Sequence, residues 1–153
     1  MMKAKAIKEH LLLECFKWIE ERHLLINNTL ADIKLALEEE SKSSAGDKHE
    51  TGRAMLQIER ENAGHQLLEI ENVEQSLKRV QITEPTGLIH LGSLVTTTQA
   101  TYFLSISAGK FSFLNKDYFC IAPNSPIGQL LLGKQKGDSF VFHDDEIEIL
   151  KID

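Results

Sequence analysis

The sequence predicts an α+β protein in which a helical hairpin is followed by a small strand-rich domain. Residues 1–84 contain no proline, whereas residues 85–153 hold all three prolines, six of the nine glycines and six of the seven phenylalanines. The first half also repeats apolar residues at heptad spacing, and the second half has short β-branched and aromatic runs separated by turn residues. These differences predict two domains, 1–84 and 85–153, joined near residues 84 and 85.

The first predicted element is a long helix with an apolar seam. Steps of four and three residues connect eight seam positions, and only His23 among them is not apolar: Leu12, Phe16, Ile19, His23, Ile26, Leu30, Ile33 and Leu37. Residues 41–47, rich in serine and glycine, end this helix, and a second helical face runs to about Val80: Leu56, Ala63, Leu67, Ile70, Leu77 and Val80. Two long helices with a short connection predict an antiparallel coiled-coil hairpin, each arm about 45 Å long.

The second half predicts six short strands, over residues 93–98, 102–107, 110–114, 118–121, 139–143 and 146–152. Between the fourth and the fifth, Ser125 is a suitable N-cap, Pro126 is a favoured first helical residue and Gly133 is a C-terminal stop. A short helix over residues 126–132 is therefore predicted. Together these elements predict one helix packed on an antiparallel sheet.

Composition and charge exclude several classes of protein. The chain has 17 Lys and Arg against 23 Asp and Glu, a net charge of −6, which argues against a protein that binds DNA or RNA on its own. No apolar run is long enough to cross a membrane, and the first residues do not resemble a signal peptide. Cys15 and Cys120 have no metal-ligand spacing, so we expect reduced thiols and a cytoplasmic protein.

The turn between the two predicted helices, residues 45–52, is the best candidate site. Asp47 and Glu50 lie three residues apart where the second helix begins. Paired carboxylates suit a Mg²⁺ ion shared with a phosphate substrate. The same pair also fits a capping box, in which Asp47 accepts from the Glu50 amide and stabilises the helix start. The two interpretations are compatible.

Other residues are weaker candidates. Lys42, Lys48 and Arg53 flank the turn and are suited to meeting phosphate groups, although exposed lysines are common on helices. His23 is interpreted as a polar break in the seam rather than as a metal ligand. Cys120 is interpreted as a core thiol, since it lies in the predicted strand 118–121. The sequence holds no arrangement of residues typical of nucleophilic catalysis.

At this point the residues carry a resemblance to a known family. The turn Gly46-Asp47 with Glu50 resembles the tip of the GreA/GreB transcript-cleavage factors, and residues 125–138, SPIGQLLLGKQKGD, look like the signature of their C-terminal, FKBP-like domain. Two shorter stretches fit the same domain in the same order, residues 92–95 and 148–152. The resemblance covers nearly the whole chain and is most specific over residues 88–153.

The resemblance implies a cytoplasmic bacterial elongation factor that is not itself an enzyme. Members of this family bind RNA polymerase through the C-terminal domain and insert the coiled coil into the secondary channel. There the tip carboxylates, here Asp47 and Glu50, help to hold a second Mg²⁺ for hydrolytic cleavage of backtracked RNA. The residues implied at or near the docking surface are Ser125, Pro126, Ile127 and Gly128, which equally fit a purely structural role at the start of a helix.

Two departures from the family leave other functions open. After Glu50 the family usually continues Asn-Ala-Glu-Tyr, but residues 51–54 here read Thr-Gly-Arg-Ala, so that Arg53 replaces an acid. The family's usual N-terminal motif is not recognisable. One alternative is therefore a channel regulator that does not cleave RNA. Another is a stand-alone prolyl isomerase, although a fold alone does not supply such a site.

Overall fold

The computed structural model describes residues 3–42 and 46–153, without the side chains of residues 46–49. Within these residues two long helices come first and a six-stranded mixed sheet with one short helix follows, which confirms the α+β class. The helices are α1 (Ala4–Lys42), α2 (Gly46–Lys78) and α3 (Pro126–Leu131). The strands are β1 (Leu94–Thr97), β2 (Thr101–Leu104), β3 (Gly109–Phe113), β4 (Lys116–Ile121), β5 (Ser139–Phe142) and β6 (Asp145–Ile152).

The chain divides by its internal contacts into two compact units. One, here called the hairpin unit, is Ile19–Glu74, and the other, the sheet unit, joins Met1–Trp18 with Gln75–Asp153. The boundary predicted near residues 84 and 85 was based on the change in amino-acid composition, whereas this division is based on contacts within the fold. The two differ because the beginning of α1 and the end of α2 pack within the sheet unit, where Leu11 and Leu77 are completely buried.

The hairpin unit contains antiparallel segments of α1 and α2. Arg53 of α2 donates a hydrogen bond to Ser41 of α1, and Glu74 lies 3.9 Å from His23, so the two helices run in opposite directions. The predicted seam positions within this unit are buried or half-buried, with Ile33 of α1 and Ala63 of α2 among the most buried. The heptad pattern therefore predicted the packed faces of both helices.

The six predicted strands all form, in the order β3-β4-β2-β1-β6-β5. The prediction of an antiparallel sheet was wrong at one pairing, because β2 and β4 are parallel. The chain leaves β2, forms the edge strand β3 and turns back, so that β4 enters the sheet between β3 and β2. A strand that returns after one intervening antiparallel strand runs in its original direction, and this sheet is therefore mixed.

Two tight hairpin turns shape the sheet. Leu114 and Asn115 join β3 to β4, and His143 and Asp144 join β5 to β6, all four with positive φ. Two successive residues of positive φ are typical of the type I′ turn, whose twist matches that of paired strands. The strand ranges predicted from sequence leave residues 115–117 between the third and fourth strands, so the observed turn begins one residue earlier than that gap.

Helix α3 covers one face of the sheet. Its buried residues Ile127 and Leu131 pack into a core with sheet residues and Ile89: Val95, Leu104, Phe140, Ile147 and Ile149. Ser125 is the N-cap and Pro126 the first helical residue, as predicted. The helix ends at Leu131, one residue before the predicted end, and Leu132 is its C-cap. The predicted C-terminal stop, Gly133, has a φ of 78°, which glycine adopts without strain.

Candidate functional site at the hairpin end

The two carboxylates of the predicted tip belong to the first turns of α2. Asp47 and Glu50 are three residues apart in this helix. The Glu50 side chain is exposed, and that of Asp47 lies outside the described side chains, as does that of Lys48. Near the helix N-terminus a carboxylate is stabilised by about 0.3–1 kcal/mol.

The helix start differs from the one that a capping box requires. Because α2 begins at Gly46, Asp47 is inside the helix instead of preceding it as the N-cap. Gly52 is in the second turn of the helix. Residues 43–45 lie outside the described residues, so that Ala45 of the predicted tip carries no structural assignment.

Next to this end of the hairpin unit lies a groove between α1 and α2. It measures about 710 Å³ and its floor is apolar, with Leu30 and Leu37 contributing. Among the described residues, its polar lining consists of four cations, one acid and two uncharged residues: Lys34, Lys42, Arg53, Arg60, Glu38, Ser41 and Gln57. Four positive charges against one negative charge make this groove cationic on a chain whose net charge is −6.

A hydrogen bond anchors Arg53 in the groove. Its Nη1 atom donates to Ser41 Oγ at 2.5 Å, and that hydroxyl donates in turn to the Leu37 carbonyl at 2.9 Å. Arg53 also follows Glu50 by three residues, so both side chains belong to one face of α2. The Arg53 guanidinium therefore belongs both to the cationic groove and to the face of α2 that carries Glu50, near the N-terminus of the helix.

Gly52 of α2 lies next to the side chain of Glu40 in α1. A Cβ atom built on Gly52 would lie 3.2 Å from the Glu40 carboxylate of α1. That contact is tight, but the carboxylate is the end of a flexible side chain. The departure from the family pattern at residues 51–54 therefore places a small residue against Glu40 and an anchored arginine one position further.

Sequence reasoning identified Lys42 and Arg53 but missed Lys34 and Arg60. The structure brings all four into one groove. A signal was present in the sequence, since Arg53 and Arg60 are seven residues apart, as are Lys34 and Ser41. Residues two helical turns apart share a face, and a search for cations at that spacing would have found the groove lining.

His23 is a polar break in the hairpin, as predicted. Its Nδ1 atom is 3.9 Å from a Glu74 carboxylate oxygen, and its Nε2 atom is buried without a hydrogen-bond partner. In the described part of the chain, no group of three or more His, Cys, Asp or Glu side chains is placed to hold a metal ion. A metal interpretation of His23 thus has no further ligands to support it.

The four residues predicted at the docking surface begin helix α3. Ser125 Oγ accepts a hydrogen bond from the Gly128 amide at 3.1 Å and donates one to the Ala122 carbonyl at 2.6 Å. Ile127 and Gly128 are buried, whereas Pro126 is exposed. The structural role is thereby confirmed, and a docking role stays a prediction that rests on Pro126 and its exposed neighbours.

Comparison with known proteins shows a structural likeness. The chain is similar to a solved structure of the transcription factor Gfh1, with 21% identity, a TM-score of 0.36 and coverage of 90% of this chain and 92% of that one. No protein-family model matches the sequence, and no curated protein matches it. A likeness at this level does not define a function. None of the helices in the described residues is long and apolar enough to cross a membrane.

Proposed function

We propose that this protein is a transcription elongation factor that binds bacterial RNA polymerase and promotes hydrolytic cleavage of backtracked RNA. In this proposal the end of the hairpin enters the secondary channel, and Asp47 and Glu50 supply carboxylates for a second Mg²⁺ ion. The polymerase is the enzyme, and this chain completes its active site. The resemblance of residues 46–50 and 125–138 to the GreA/GreB family suggests this function.

The observation that carries the proposal is that a carboxylate and several cationic side chains lie near each other at this end of the hairpin unit. An exposed carboxylate, Glu50, lies one helical turn before Arg53, which lines a cationic groove. Carboxylates bind hard divalent cations, and arginine and lysine bind phosphate oxygens. A site that cleaves a nucleic-acid backbone with metal assistance requires both kinds of group side by side.

The residues present fit a weakly held magnesium ion. Asp47 and Glu50 would provide two oxygen ligands on one face of α2, fewer than a stable site of the protein's own requires, so the polymerase would provide the others. A second Mg²⁺ held in this way would stabilise the attacking and leaving oxygens in hydrolysis. Lys42 and Arg53, with Lys34 and Arg60, would hold the RNA phosphates.

The helices are long enough for the proposed insertion. α1 has 39 residues and α2 has 33, so they are about 58 Å and 50 Å long at 1.5 Å per residue. A helical pair is also thin, at about 10–12 Å for each helix with its side chains. A channel leading to a buried active site would admit such an element.

Cleavage of RNA in a defined backtracked complex with cognate polymerase tests the proposal. The variant carrying Asp47→Ala and Glu50→Ala should release short 3′ fragments at least a hundredfold more slowly, because each carboxylate would act on a metal ion in the transition state. A matched control carries Glu59→Ala and Glu69→Ala, which remove two exposed acids further along α2. The proposal is wrong if the tip variant cleaves as fast as the wild type.

One observation favours a second function, that of a channel regulator without cleavage activity. Arg53 lies on the same face of α2 as Glu50 and puts a positive charge where the family usually has an acid. Such a regulator would slow elongation without releasing RNA fragments, and the tip variant would slow it equally. Measuring elongation rate and fragment release in one experiment separates the two functions.

A further inference from the structure

The groove of the hairpin unit combines a concave shape with two kinds of lining. Its volume of about 710 Å³ lies within the range of about 300–1,000 Å³ that is typical of small-molecule sites. Leu30 and Leu37, both half-buried, belong to its apolar floor, and the half-buried Gln57 adds an amide. The charged side chains of the lining are exposed. A groove with an apolar floor and a cationic rim suits an organic anion better than an inorganic one.

The four cations of the described lining form two pairs along the hairpin unit. Arg53 is at the level of Ser41, to which it is hydrogen-bonded, and Lys42 follows Ser41 directly. Lys34 precedes Ser41 by seven residues in α1, and in α2 a second arginine, Arg60, lies the same distance beyond the first. Because the two helices are antiparallel, this second pair shares a level about 10.5 Å from the first, at 1.5 Å per residue. The arrangement favours an extended ligand with several phosphate groups over a single phosphate.

The positive charges of the groove are available to a ligand. Within the described part of the chain, neither Lys34 nor Arg60 forms an ion pair with an acid. Arg53 is anchored by the Ser41 hydroxyl, which positions the guanidinium without neutralising its charge. Charges more than about 8–10 Å from a small ligand are largely screened at physiological ionic strength. The net charge of −6 opposes binding of a long RNA strand, but a small anion in the groove responds to the nearby cations.

We propose that this groove is a binding site for a free nucleoside triphosphate. The phosphates contact the cations, since arginine and lysine donate charge-assisted hydrogen bonds to phosphate oxygens. The base lies on the apolar floor, and a neighbouring guanidinium adds a cation–π contact to its face. Gln57 supplies an amide donor and an amide acceptor for the edge of the base.

Binding of this kind goes beyond the proposed function and does not rest on it. It requires neither polymerase nor RNA, and it does not involve the tip carboxylates. If the protein also acts on backtracked RNA, the nucleotide and the RNA phosphates compete for the same cations. A high concentration of free nucleoside triphosphate would then weaken the contact between the groove and RNA.

Nuclear magnetic resonance of the full-length protein tests the proposal. Isotope-labelled protein is titrated with ATP at constant ionic strength, and EDTA is present so that no Mg²⁺ ion connects the nucleotide to a carboxylate. We expect saturable shifts of the amide signals of residues 30–42 and 53–60, with a Kd of about 0.1–1 mM. Methyl triphosphate, which has the phosphates without the nucleoside, should bind about tenfold more weakly. The absence of a saturable shift, shifts centred outside the groove, or equal affinity for methyl triphosphate would overturn the proposal.

Variants of the exposed cations locate the bound nucleotide. Lys34→Ala and Arg60→Ala each remove one cation of the lining, and we expect ATP to bind about tenfold more weakly to each. The control Arg79→Ala removes an exposed arginine outside the groove lining and should bind ATP as the wild type does. The variant carrying Asp47→Ala and Glu50→Ala should also bind ATP normally, whether or not it promotes RNA cleavage. Unchanged ATP affinity in both Lys34→Ala and Arg60→Ala would show that the nucleotide does not bind in the groove.

Discussion

At the scale of single residues, Gly128 has the tightest surroundings of the described glycines. A Cβ atom there would lie 2.2 Å from the Ala122 carbonyl oxygen and 2.9 Å from that of Pro123. Neither backbone oxygen can withdraw without disturbing the turn that Ser125 holds in place. The start of α3 therefore requires glycine for reasons of space, whatever partner its surface binds.

Substitution of Gly128 should therefore destabilise the fold. We expect Gly128→Ala to lower the free energy of unfolding by about 3 kcal/mol, through displacement of the backbone. Gly64→Ala is the control, since a Cβ at that helical position meets nothing within 4 Å, and we expect it to stabilise by about 0.5–1 kcal/mol. Chemical denaturation measures both, and equal effects would contradict the crowding at Gly128.

Lys8 is a second residue whose environment has a measurable consequence. It is only 3% exposed in α1, and burial lowers its pKa, although the charges of Asp153 and Glu84 act to raise it. The buried ammonium therefore costs stability at every pH below the lowered pKa. That cost declines as the pH rises toward the unfolded value of about 10.4, because the unfolded chain then binds more protons than the folded one.

The Lys8→Met variant tests this linkage. We expect it to be more stable than the wild type at pH 7, and its advantage should shrink as the pH is raised through the lowered pKa of Lys8 toward the unfolded value of about 10.4. Lys5→Met is the matched control, because that lysine is exposed on the same helix, and its difference from the wild type should not depend on pH. A Lys8→Met advantage that stays constant over this range would exclude the pKa shift.

At the scale of elements, the hairpin contains one polar side chain in an otherwise apolar seam. The unsatisfied Nε2 atom of His23 costs about 1–3 kcal/mol by loss of its hydrogen bond to water. Apolar residues occupy the other seam positions of α1, so the two helices pack along the seam despite His23, and their packing does not require a histidine there.

Replacing the break by an apolar residue should strengthen the hairpin. We expect His23→Leu to raise the free energy of unfolding by about 1–2 kcal/mol, because an apolar side chain leaves no unsatisfied atom. His65→Leu, at an exposed position of α2, should change it by less than about 0.5 kcal/mol. Thermal unfolding compares the two, and a His23→Leu variant less stable than the wild type would show that the contact with Glu74 matters more.

At the scale of the whole molecule, one groove has a local charge opposite in sign to the net charge of the chain. The chain carries a net charge of −6, yet four cations and one acid are the charged residues among the described lining of the groove beside the tip. A protein with this distribution should bind free RNA weakly, because the net field repels phosphate. A local cationic groove acts instead when a partner already holds the RNA in place.

The Arg53→Ala variant tests whether the cationic groove acts on RNA within the polymerase complex. If the guanidinium contacts RNA phosphate, fragment release should slow by about tenfold, with binding to polymerase unchanged. The control Arg79→Ala removes an exposed arginine that does not line the groove. Faster release from Arg53→Ala would show instead that its charge disfavours the Mg²⁺ ion, as expected of a regulator that does not cleave.

Much of this molecule is predictable from local sequence. Heptad spacing identified the packed faces of α1 and α2, six apolar runs identified the strands, and Ser125 with Pro126 identified the start of α3. Each of these patterns depends on residues that are close in the chain, where helix and strand periods dictate which side chains share a face. The carboxylates Asp47 and Glu50 came from the same kind of local reasoning and from a family resemblance.

Other features were decided by tertiary structure alone. The parallel pairing of β2 with β4, the contact of Cys15 with Ser105 and the burial of Lys8 each depend on segments that are distant in sequence. Spacing within one element does not determine which distant element will face it, because that choice minimises exposed apolar surface and unpaired backbone over the whole unit. Sequence therefore determined what each element is, and long-range packing determined which side chains meet.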